Sequence, residues 1–267
     1  MDLEKLIVGF RPSELTIVAG RPFMGKTDVM IHFALQAGWA DYLPIVFSVE
    51  MGKGLLIDRL ISDSGKISRL KMRDPYNLFS EKQKSEWLET LNKVLSSTIQ
   101  IDDRGGLTVN QMRAQARKII KQHPTKKPII FIDHLQIIAS EQATNNQVYS
   151  IGQISWALKQ MAKELDCPVI CLSQLNRGIE NRACKRPLMS NLRDSGNIEQ
   201  DADVIILLYR EDYYDNLEAE GNMDYNKVSV VLELIVSKNR NGPTGTVRVN
   251  YSKSTGQIRD IQYQQAK

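Results

Sequence analysis

Cysteine is scarce in this sequence, with three among 267 residues. An odd number of cysteines in a long chain does not build a disulfide framework, so the sequence predicts a protein of a reducing compartment, by default the cytoplasm. No apolar run approaches the roughly 20 residues of a membrane span. The first residues also lack the basic segment and cleavage site of a secretory signal. A membrane protein is therefore excluded.

A strong charge of one sign is also missing. Lys plus Arg number 35 against 31 for Asp plus Glu, and the resulting net charge of +4 is too small to indicate nucleic-acid binding by itself. The hydrophobic share of 42% and the charged share of 25% are those of an ordinary globular chain. Because no repeat, low-complexity segment or linker interrupts it, we interpret residues 1–267 as a single domain.

What the sequence does contain is an alternation of short apolar runs with segments of helical periodicity. This alternation predicts an α/β domain whose mostly parallel central sheet is flanked by helices. The tail from Val228 onward instead alternates apolar and polar residues, which predicts an antiparallel C-terminal extension. The predicted strands of the parallel sheet are LTIVA (15–19), PIVFSV (44–49), TIQI (98–101), PIIFID (128–133), PVICLS (168–173) and DVIILLY (203–209).

The predicted helices lie between these strands. One begins after Thr108, which we expect to be its N-cap, and residues 148–165 form the longest. The polar loop 176–199 is longer than connections within compact domains usually are, which is typical of functional or mobile loops. Further helices are predicted over 26–39 and 54–64 and, after a polar stretch at 66–84, along the stripe Trp87, Leu88, Leu91 and Leu95.

The strongest motif is GRPFMGKT at residues 20–27, which fits the pattern G-x-x-x-x-G-K-[ST] between a predicted strand and a predicted helix. In such a loop the backbone N–H groups surround phosphates, Lys26 reaches the β and γ oxygens, and Thr27 offers its hydroxyl to Mg²⁺. The sequence therefore predicts a nucleoside triphosphate site. The residues assigned to the nucleotide are Gly20, Arg21, Pro22, Met24, Gly25, Lys26, Thr27 and Asp28.

Three polar residues end or follow other predicted strands, at the edge where α/β proteins bind their ligands. Asp133 ends PIIFID and is interpreted as the second metal-binding group beside Thr27, with a solvated cap as the alternative. Glu50 follows PIVFSV and either orients the attacking water or is a plain surface carboxylate. Gln174 follows PVICLS and either senses the γ-phosphate or makes a simple edge hydrogen bond.

Lys238 and Arg240 lie two residues apart, so on an extended segment both side chains point to the same face. Two interpretations remain open. The pair either grips a triphosphate, as arginine-finger elements if the nucleotide belongs to a neighbouring subunit, or forms a solvated basic edge.

A structural metal site is not predicted. Cys167 and Cys171 are four residues apart on one strand, about 13 Å, and cannot share one zinc ion. His32, His123 and His134 show no ligand spacing with each other or with cysteine. We interpret the two cysteines as buried core thiols.

Several motifs in order resemble the ATPase domain of the DnaB-type replicative DNA helicases, and the resemblance covers nearly the whole chain. It implies a RecA-like P-loop fold that hydrolyses ATP with Mg²⁺ and assembles as a hexameric ring on single-stranded DNA, with primase and a helicase loader as possible partners. The motifs are GRPFMGKT, FSVEMG, IFIDHLQ, LSQLNRGIE, KRPLMSNLRDSGNIEQDADVIILLYREDYY and KNRNGPTGT.

Carried onto matching positions, the resemblance implies a role for each candidate. Glu50 is the catalytic carboxylate, Asp133 lies on the metal side and Gln174 senses the γ-phosphate. Lys238 and Arg240 are supplied to the neighbouring subunit.

The resemblance adds two sets that the residues alone do not indicate. Arg193, Asp194 and Gly196, in the loop NLRDSGNIE, match the positions that hold DNA phosphates without reading bases. Arg210 and Tyr251 match positions that sandwich the nucleotide base.

The chain departs from the family pattern in places. Family members carry an N-terminal helical domain and a linker helix, yet 19 residues precede Gly20, so the resemblance implies that both are absent. An excised domain and a naturally short relative are both compatible with this. Asp194 stands where Glu is common and His134 where an aromatic residue is common. We expect a replicative helicase motor, and the alternative is an ATP-gated DNA-binding or partner-recruiting module without unwinding activity.

Overall fold

One sheet runs through the part of the chain that the structure, a computed structural model, describes: residues 2–141, 147–182, 184–192, 195–218 and 229–261. The strands in this part lie in the order β3-β2-β4-β5-β1-β6-β7-β8-β9. The first six in this order are parallel and the last three antiparallel. They are β1 (Leu15–Gly20), β2 (Tyr42–Ser48), β3 (Gln100–Asp102), β4 (Lys127–Asp133), β5 (Val169–Gln174), β6 (Val204–Tyr209), β7 (Ser229–Asn239), β8 (Gly245–Ser252) and β9 (Ile258–Asp260).

The apolar character of the parallel strands follows from burial on both faces. Every residue of β1 is buried, and so are five of the six residues of β5. Strand β8 instead alternates buried Val247, Val249 and Tyr251 with exposed residues, because only one of its faces meets the core. The predicted mostly parallel sheet and its antiparallel extension are both confirmed.

Helices cover both faces of the sheet. Residues of α2 and α3 join one buried apolar cluster, and residues of α7 and α8 join a second on the other face. No described helix combines the length and the apolar character needed to cross a membrane. The helices are α1 (Asp2–Ile7), α2 (Lys26–Trp39), α3 (Lys53–Gly65), α4 (Pro75–Leu78), α5 (Glu81–Ser85), α6 (Trp87–Ser96), α7 (Val109–Gln122), α8 (Gln147–Glu164), α9 (Ser195–Asp201) and α10 (Glu211–Glu218).

Local sequence explains where several helices begin. Thr108 caps α7 as predicted: its hydroxyl accepts a hydrogen bond from the Gln111 N–H, and the Gln111 side chain accepts one from the Thr108 N–H at 3.0 Å. Ser80 and Gln83 make the same reciprocal pair at α5. The polar stretch 66–84 therefore contains short helical elements rather than a plain loop.

The helix predicted along the stripe at 87–95 is confirmed as α6, although Leu88 and Leu95 remain 71% and 72% exposed, because periodicity does not tell whether another element covers a helix face. One expectation needs correction. The predicted loop 176–199 contains two 3-10 turns, at Arg177–Asn181 and Met189–Asn191, and the first residues of α9.

The strand register brings the ends of β1, β2, β4 and β5 to one edge. Gly20 at the end of β1 is paired with Gln174 at the end of β5, and Ser48 at the end of β2 with Asp133 at the end of β4. Since these strands are parallel, their carboxyl ends meet along the same side of the sheet. We call this side the carboxyl edge, and the opposite side the amino edge.

Candidate nucleotide-binding site

The glycine-rich motif forms the turn between β1 and α2, as predicted. Gly25 has a φ of 90° and caps the start of α2. A Cβ at this position would lie 3.2 Å from a ring carbon of Tyr251, so both the backbone angle and the close contact favour glycine. The Met24 side chain is buried in the core, which leaves the loop backbone to surround a phosphate.

Lys26 lies across the mouth of this loop. Its Nζ donates hydrogen bonds to the carbonyls of Gly20 at 3.0 Å and Arg21 at 3.1 Å. Burial lowers the pKa of Lys26 to about 8, against the opposing effect of the nearby Asp133 and Glu50 carboxylates. An anion bound here would favour the charged form of Lys26, which is the behaviour expected of a phosphate ligand.

Thr27 and Asp133 form the second part of the site. The Thr27 hydroxyl donates to Asp133 Oδ2 at 3.0 Å, and Asp133 is 2% exposed. Burial raises the pKa of Asp133, while the Thr27 hydrogen bond works in the opposite direction. A buried carboxylate beside a hydroxyl is an all-oxygen pair that suits a hard divalent cation such as Mg²⁺.

Glu50 and His134 extend the cluster toward solvent. The exposed Glu50 places Oε2 3.1 Å from His134 Nδ1, and that nitrogen lies 3.7 Å from Asp133 Oδ1. The backbone assists, because the Val49 N–H donates to the Asp133 carbonyl at 3.1 Å. One ligand atom of each of Glu50, Asp133 and His134 lies within 4.8 Å of the others. Sequence reasoning assigned His134 no role in this site. Its position directly after Asp133 is the signal that could have indicated one.

Gln174 lies at the carboxyl edge beside Gly20, the first residue of the motif. Its backbone N–H donates to Gln136 Oε1 at 3.1 Å, and Gln136 Nε2 donates to the Ser173 hydroxyl at 2.9 Å. Gln136, in the segment IFIDHLQ, therefore fixes the end of β5. Sequence reasoning did not single it out.

Lys238 and Arg240 lie at the amino edge. Strand β7 is antiparallel to β6, so its last residue, Asn239, is paired with Val204 at the start of β6. Lys238 donates to the carbonyls of Glu199 and Ala202, the latter at 2.7 Å.

The amino edge is far from the P-loop of the same chain. Val204 is in turn paired with Thr16, and the four residues from Thr16 to Gly20 extend about 13 Å along β1. Arg240 donates to the Gln200 carbonyl and lies 3.5 Å from Asp203 Oδ1. The Lys238 and Arg240 side chains thus both point toward the C-terminal end of α9. This agrees with the prediction that they lie on the same face of an extended segment.

The model of a protein family described as DnaB-like helicase C terminal domain matches residues 1–260. The chain belongs to this family. The resemblance that the motifs carry is thereby confirmed.

Individual relatives agree with the family. The chain is 39% identical over 261 residues to the replicative DNA helicase DnaB of Haemophilus influenzae, with 94% of this chain and 52% of the relative covered. It is 38% identical over 254 residues to the replicative DNA helicase DnaC of Bacillus subtilis, with 94% and 53% covered. The chain therefore spans about half the length of these curated relatives.

Solved structures confirm the fold of this DnaB-like domain. One is a DnaB-like replicative helicase, described with its interactions with primase: the TM-score is 0.90 at 36% identity, covering 98% of this chain and 60% of that chain. A second is described as an ATPase domain, with the same score and identity, covering 98% of this chain and 89% of that chain. The RecA-like α/β fold that the resemblance implies is confirmed.

The side chains of Arg21 and Asp28 do not line the phosphate loop. Arg21 Nη2 donates to Glu180 Oε1 at 2.6 Å, and its Nη1 donates to the Leu175 carbonyl at 2.9 Å. The Asp28 carboxylate is enclosed in a cluster of arginine side chains. Their side chains serve other contacts, so their assignment to the nucleotide depends on the backbone N–H groups and stays a prediction.

Arg210 and Tyr251 meet each other. The guanidinium carbon of Arg210 lies 5.2 Å from the centre of the Tyr251 ring, and the two residues are 6% and 4% exposed. The two side chains lie against each other, and their assignment to the nucleotide base stays a prediction. The pair lies beside the P-loop, where Arg210 Nη1 donates to the Phe23 carbonyl at 3.0 Å.

The DNA-binding assignment falls partly outside the described residues. Arg193 and Asp194 are not described, whereas Gly196 is exposed in the first turn of α9. A Cβ at Gly196 would meet no atom within 4 Å. The backbone at this position is therefore open to a ligand.

Proposed function

We propose that this chain is the motor domain of a replicative DNA helicase. It hydrolyses ATP at the interfaces of a ring of identical subunits, moves along single-stranded DNA and separates the duplex. Family membership supports this proposal. The observation that carries it is the division of charged groups between the two edges of the sheet, because one chain offers a triphosphate loop at one edge and two half-exposed cations at the other.

Each group has a role in this proposal. The loop N–H groups and Lys26 bind the β and γ phosphates, and Glu50 orients the attacking water. Gln174 senses whether the γ-phosphate is present. Lys238 and Arg240 of one subunit approach the nucleotide of the next and stabilise the charge that develops during transfer.

The proposed cofactor is Mg²⁺, held by Thr27 and Asp133. The buried position of Asp133 and its contact with the Thr27 hydroxyl support this assignment. The ion, when bound, neutralises charge on the β and γ oxygens. His134 contacts Glu50 rather than Thr27, so we assign it to the carboxylate and not to the metal.

The remaining elements of the proposal concern DNA, partners and location. Arg193, Asp194 and Gly196 hold the phosphates of single-stranded DNA, which requires no sequence readout. A hexameric ring is the proposed assembly, with a primase and a helicase loader as partners. A primase is supported by one solved relative, whose description names its interactions with primase. Three free thiols support a cytoplasmic location.

Strand displacement on a forked duplex with two single-stranded arms tests the proposal. We expect the parental chain to release the labelled strand when ATP and Mg²⁺ are present. Glu50→Gln should bind ATP and DNA but release no strand, because the group that orients water is lost. Glu89→Gln, an identical change on the exposed surface of α6, is the matched control and should behave like the parental chain.

The molecular mass measured with an ATP analogue and an oligonucleotide shows whether rings are present in the same samples. ATP-dependent DNA binding by such rings without any strand release would contradict the proposal. That result would identify an ATP-gated binding module instead.

A further inference from the structure

Two exposed aromatic residues lie on one face of α8. Tyr149 and Trp156 are seven residues apart, about two helical turns, and they are 54% and 59% exposed. Gly152 lies between them on the same face, where an added Cβ would collide with the Asn197 side chain. The backbone of α8 at Gly152 thus lies directly against α9. The aromatic face of α8 therefore borders α9, whereas buried residues such as Leu158 face the sheet.

A groove of about 640 Å³ runs along this face, between the start of α7, α8 and α9. Trp156 belongs to its lining, and so do Glu141 and Asp201, whose carboxylates repel the phosphates of a nucleic acid. Arg113, a cation of the same lining, is paired with Glu164 at 3.0 Å. The chemistry of the groove therefore favours an apolar protein side chain over DNA.

The groove begins at the amino edge, next to the segment that carries the two cations. The Arg240 N–H donates to the Asp203 carbonyl at 2.9 Å, so the backbone of Arg240 is fixed close to Asp201 in the groove wall. Gln200 belongs to the same wall. A subunit that extends Arg240 to the nucleotide of its neighbour therefore brings this groove close to the neighbour's P-loop.

Phe23 is an exposed apolar residue of that loop. It is the fourth residue of GRPFMGKT and is 82% exposed, while the next residue, Met24, is buried. Its φ of 65° is unfavourable for a residue with a side chain. Phosphate binding by the loop uses backbone N–H groups and does not need this phenyl group. Covering the phenyl group would remove a large apolar surface from water.

We propose that Phe23 of one subunit packs against Trp156 in the groove of the adjacent subunit. The inference rests on the proposed function, because it takes Arg240 to reach the nucleotide of a neighbouring subunit. The occupant of the groove is a second copy of this chain, and the contact is heterologous: Phe23 and Trp156 of one chain serve two different interfaces. Assembly therefore buries a pair of aromatic side chains beside every nucleotide.

Trp156→Ala is the first test, because Trp156 is exposed on α8 and lies outside the P-loop. The molecular mass is measured against protein concentration, with an ATP analogue and Mg²⁺ and without DNA. We expect the concentration at half assembly to rise by about tenfold or more, since Trp residues buried at interfaces commonly carry much of the binding energy. Nucleotide affinity below the assembly concentration should stay parental, and thermal unfolding checks the fold.

Leu95→Ala is the matched control. Leu95 is 72% exposed at the end of α6, which packs on the opposite face of the sheet from α8. Its truncation also removes an exposed apolar side chain, but we expect it to leave assembly at the parental concentration.

Phe23→Asn tests the other side of the contact, because Asn tolerates a left-handed backbone. It should weaken assembly by a factor similar to that of Trp156→Ala. Two residues in direct contact give non-additive losses. The double variant should therefore assemble little worse than either single variant.

Parental assembly by Trp156→Ala would overturn the proposal, and so would additive losses in the double variant. Parental assembly by Trp156→Ala together with weaker binding of single-stranded DNA would also overturn it and would identify the groove as a DNA-binding surface. A parental chain that forms no oligomer with the ATP analogue would contradict the ring of the proposed function, and this inference with it.

Discussion

At the carboxyl edge of the sheet Lys26 and Asp133 are largely buried and lie close together, whereas at the amino edge Lys238 and Arg240 are partly exposed and bound to the end of a short helix. Lys26 and Asp133 have pKa values displaced toward their neutral forms by burial. Burial and the neighbouring Arg240 also lower the pKa of Lys238, but the groups that Lys238 contacts are carbonyls. The first edge is arranged to receive a ligand, while the second presents cations outward.

The direction of one strand produces this difference. Parallel strands carry their following loops to the carboxyl edge, where the P-loop and Asp133 lie. Strand β7 runs the opposite way, so the residues at its end, Lys238 and Arg240, arrive at the amino edge. A single chain therefore cannot bring its two cations to its own P-loop, which is why the proposed function needs an adjacent subunit.

The largest effect is expected from Lys26→Ala at the carboxyl edge. Loss of the charge that neutralises the phosphates should lower ATP hydrolysis by about 10²-fold or more. The fold should persist, because the lowered pKa of Lys26 shows that burial disfavours its charge. A phosphate-release assay and thermal unfolding measure the two quantities. Lys121→Ala, at an exposed position of α7, is the control. Near-parental hydrolysis by Lys26→Ala would show that the P-loop takes no part in the mechanism.

Arg240→Ala tests whether the amino edge serves another subunit. We expect it to hydrolyse ATP poorly while binding nucleotide normally, because its own P-loop is intact. Mixed with Lys26→Ala subunits it should regain activity, since random assembly joins an intact loop to an intact finger at about a quarter of the interfaces. Hydrolysis across a series of mixing ratios is the measurement. If rings that are verified by mass to contain both variants show no recovery of hydrolysis, Arg240 acts on the nucleotide of its own subunit.

The smallest effect concerns the strand core between the two edges. Burial raises the pKa of Cys167 to about 12 and shifts that of Cys171 upward as well, so neither forms the reactive thiolate at pH 8. Cys184 is exposed. We expect one thiol per chain to react rapidly with a thiol reagent at pH 8, and all three after unfolding. Rapid reaction of two or three thiols in the folded chain would show that the core between the edges opens.

Much of the carboxyl edge can be predicted from sequence, because its elements are local. Apolar runs predict the strands, and the spacing of Gly20, Gly25 and Lys26 predicts the loop between a strand and a helix. The contact of Glu50 with His134 could not be predicted, since it depends on β2 and β4 being neighbours. The hydrogen bond from Tyr251 to Asp28 joins residues 223 positions apart, and no periodicity indicates it.

The resemblance supplied residues but not their surroundings. It marked Arg210 and Tyr251 as a pair near the nucleotide, and the structure adds their contact with each other, which the motifs do not indicate. The exposed Leu88 and Leu95 have a similar origin: a helical pattern predicts the helix, while burial depends on what packs against it. Packing is a property of the assembled sheet and helices, which local sequence does not encode.

The contacts at the end of α9 have a thermodynamic consequence. Lys238 and Arg240 supply donors to carbonyls that a helix leaves unpaired at its last turn. A ligand that draws either cation away removes these donors and weakens the end of α9, the helix whose first turn contains Gly196. Linkage is reciprocal, so a ligand that stabilises α9 opposes the release of Lys238 and Arg240 from its last turn by the same free energy. The seven residues of α9 and such a ligand thus compete for the two cations at the amino edge.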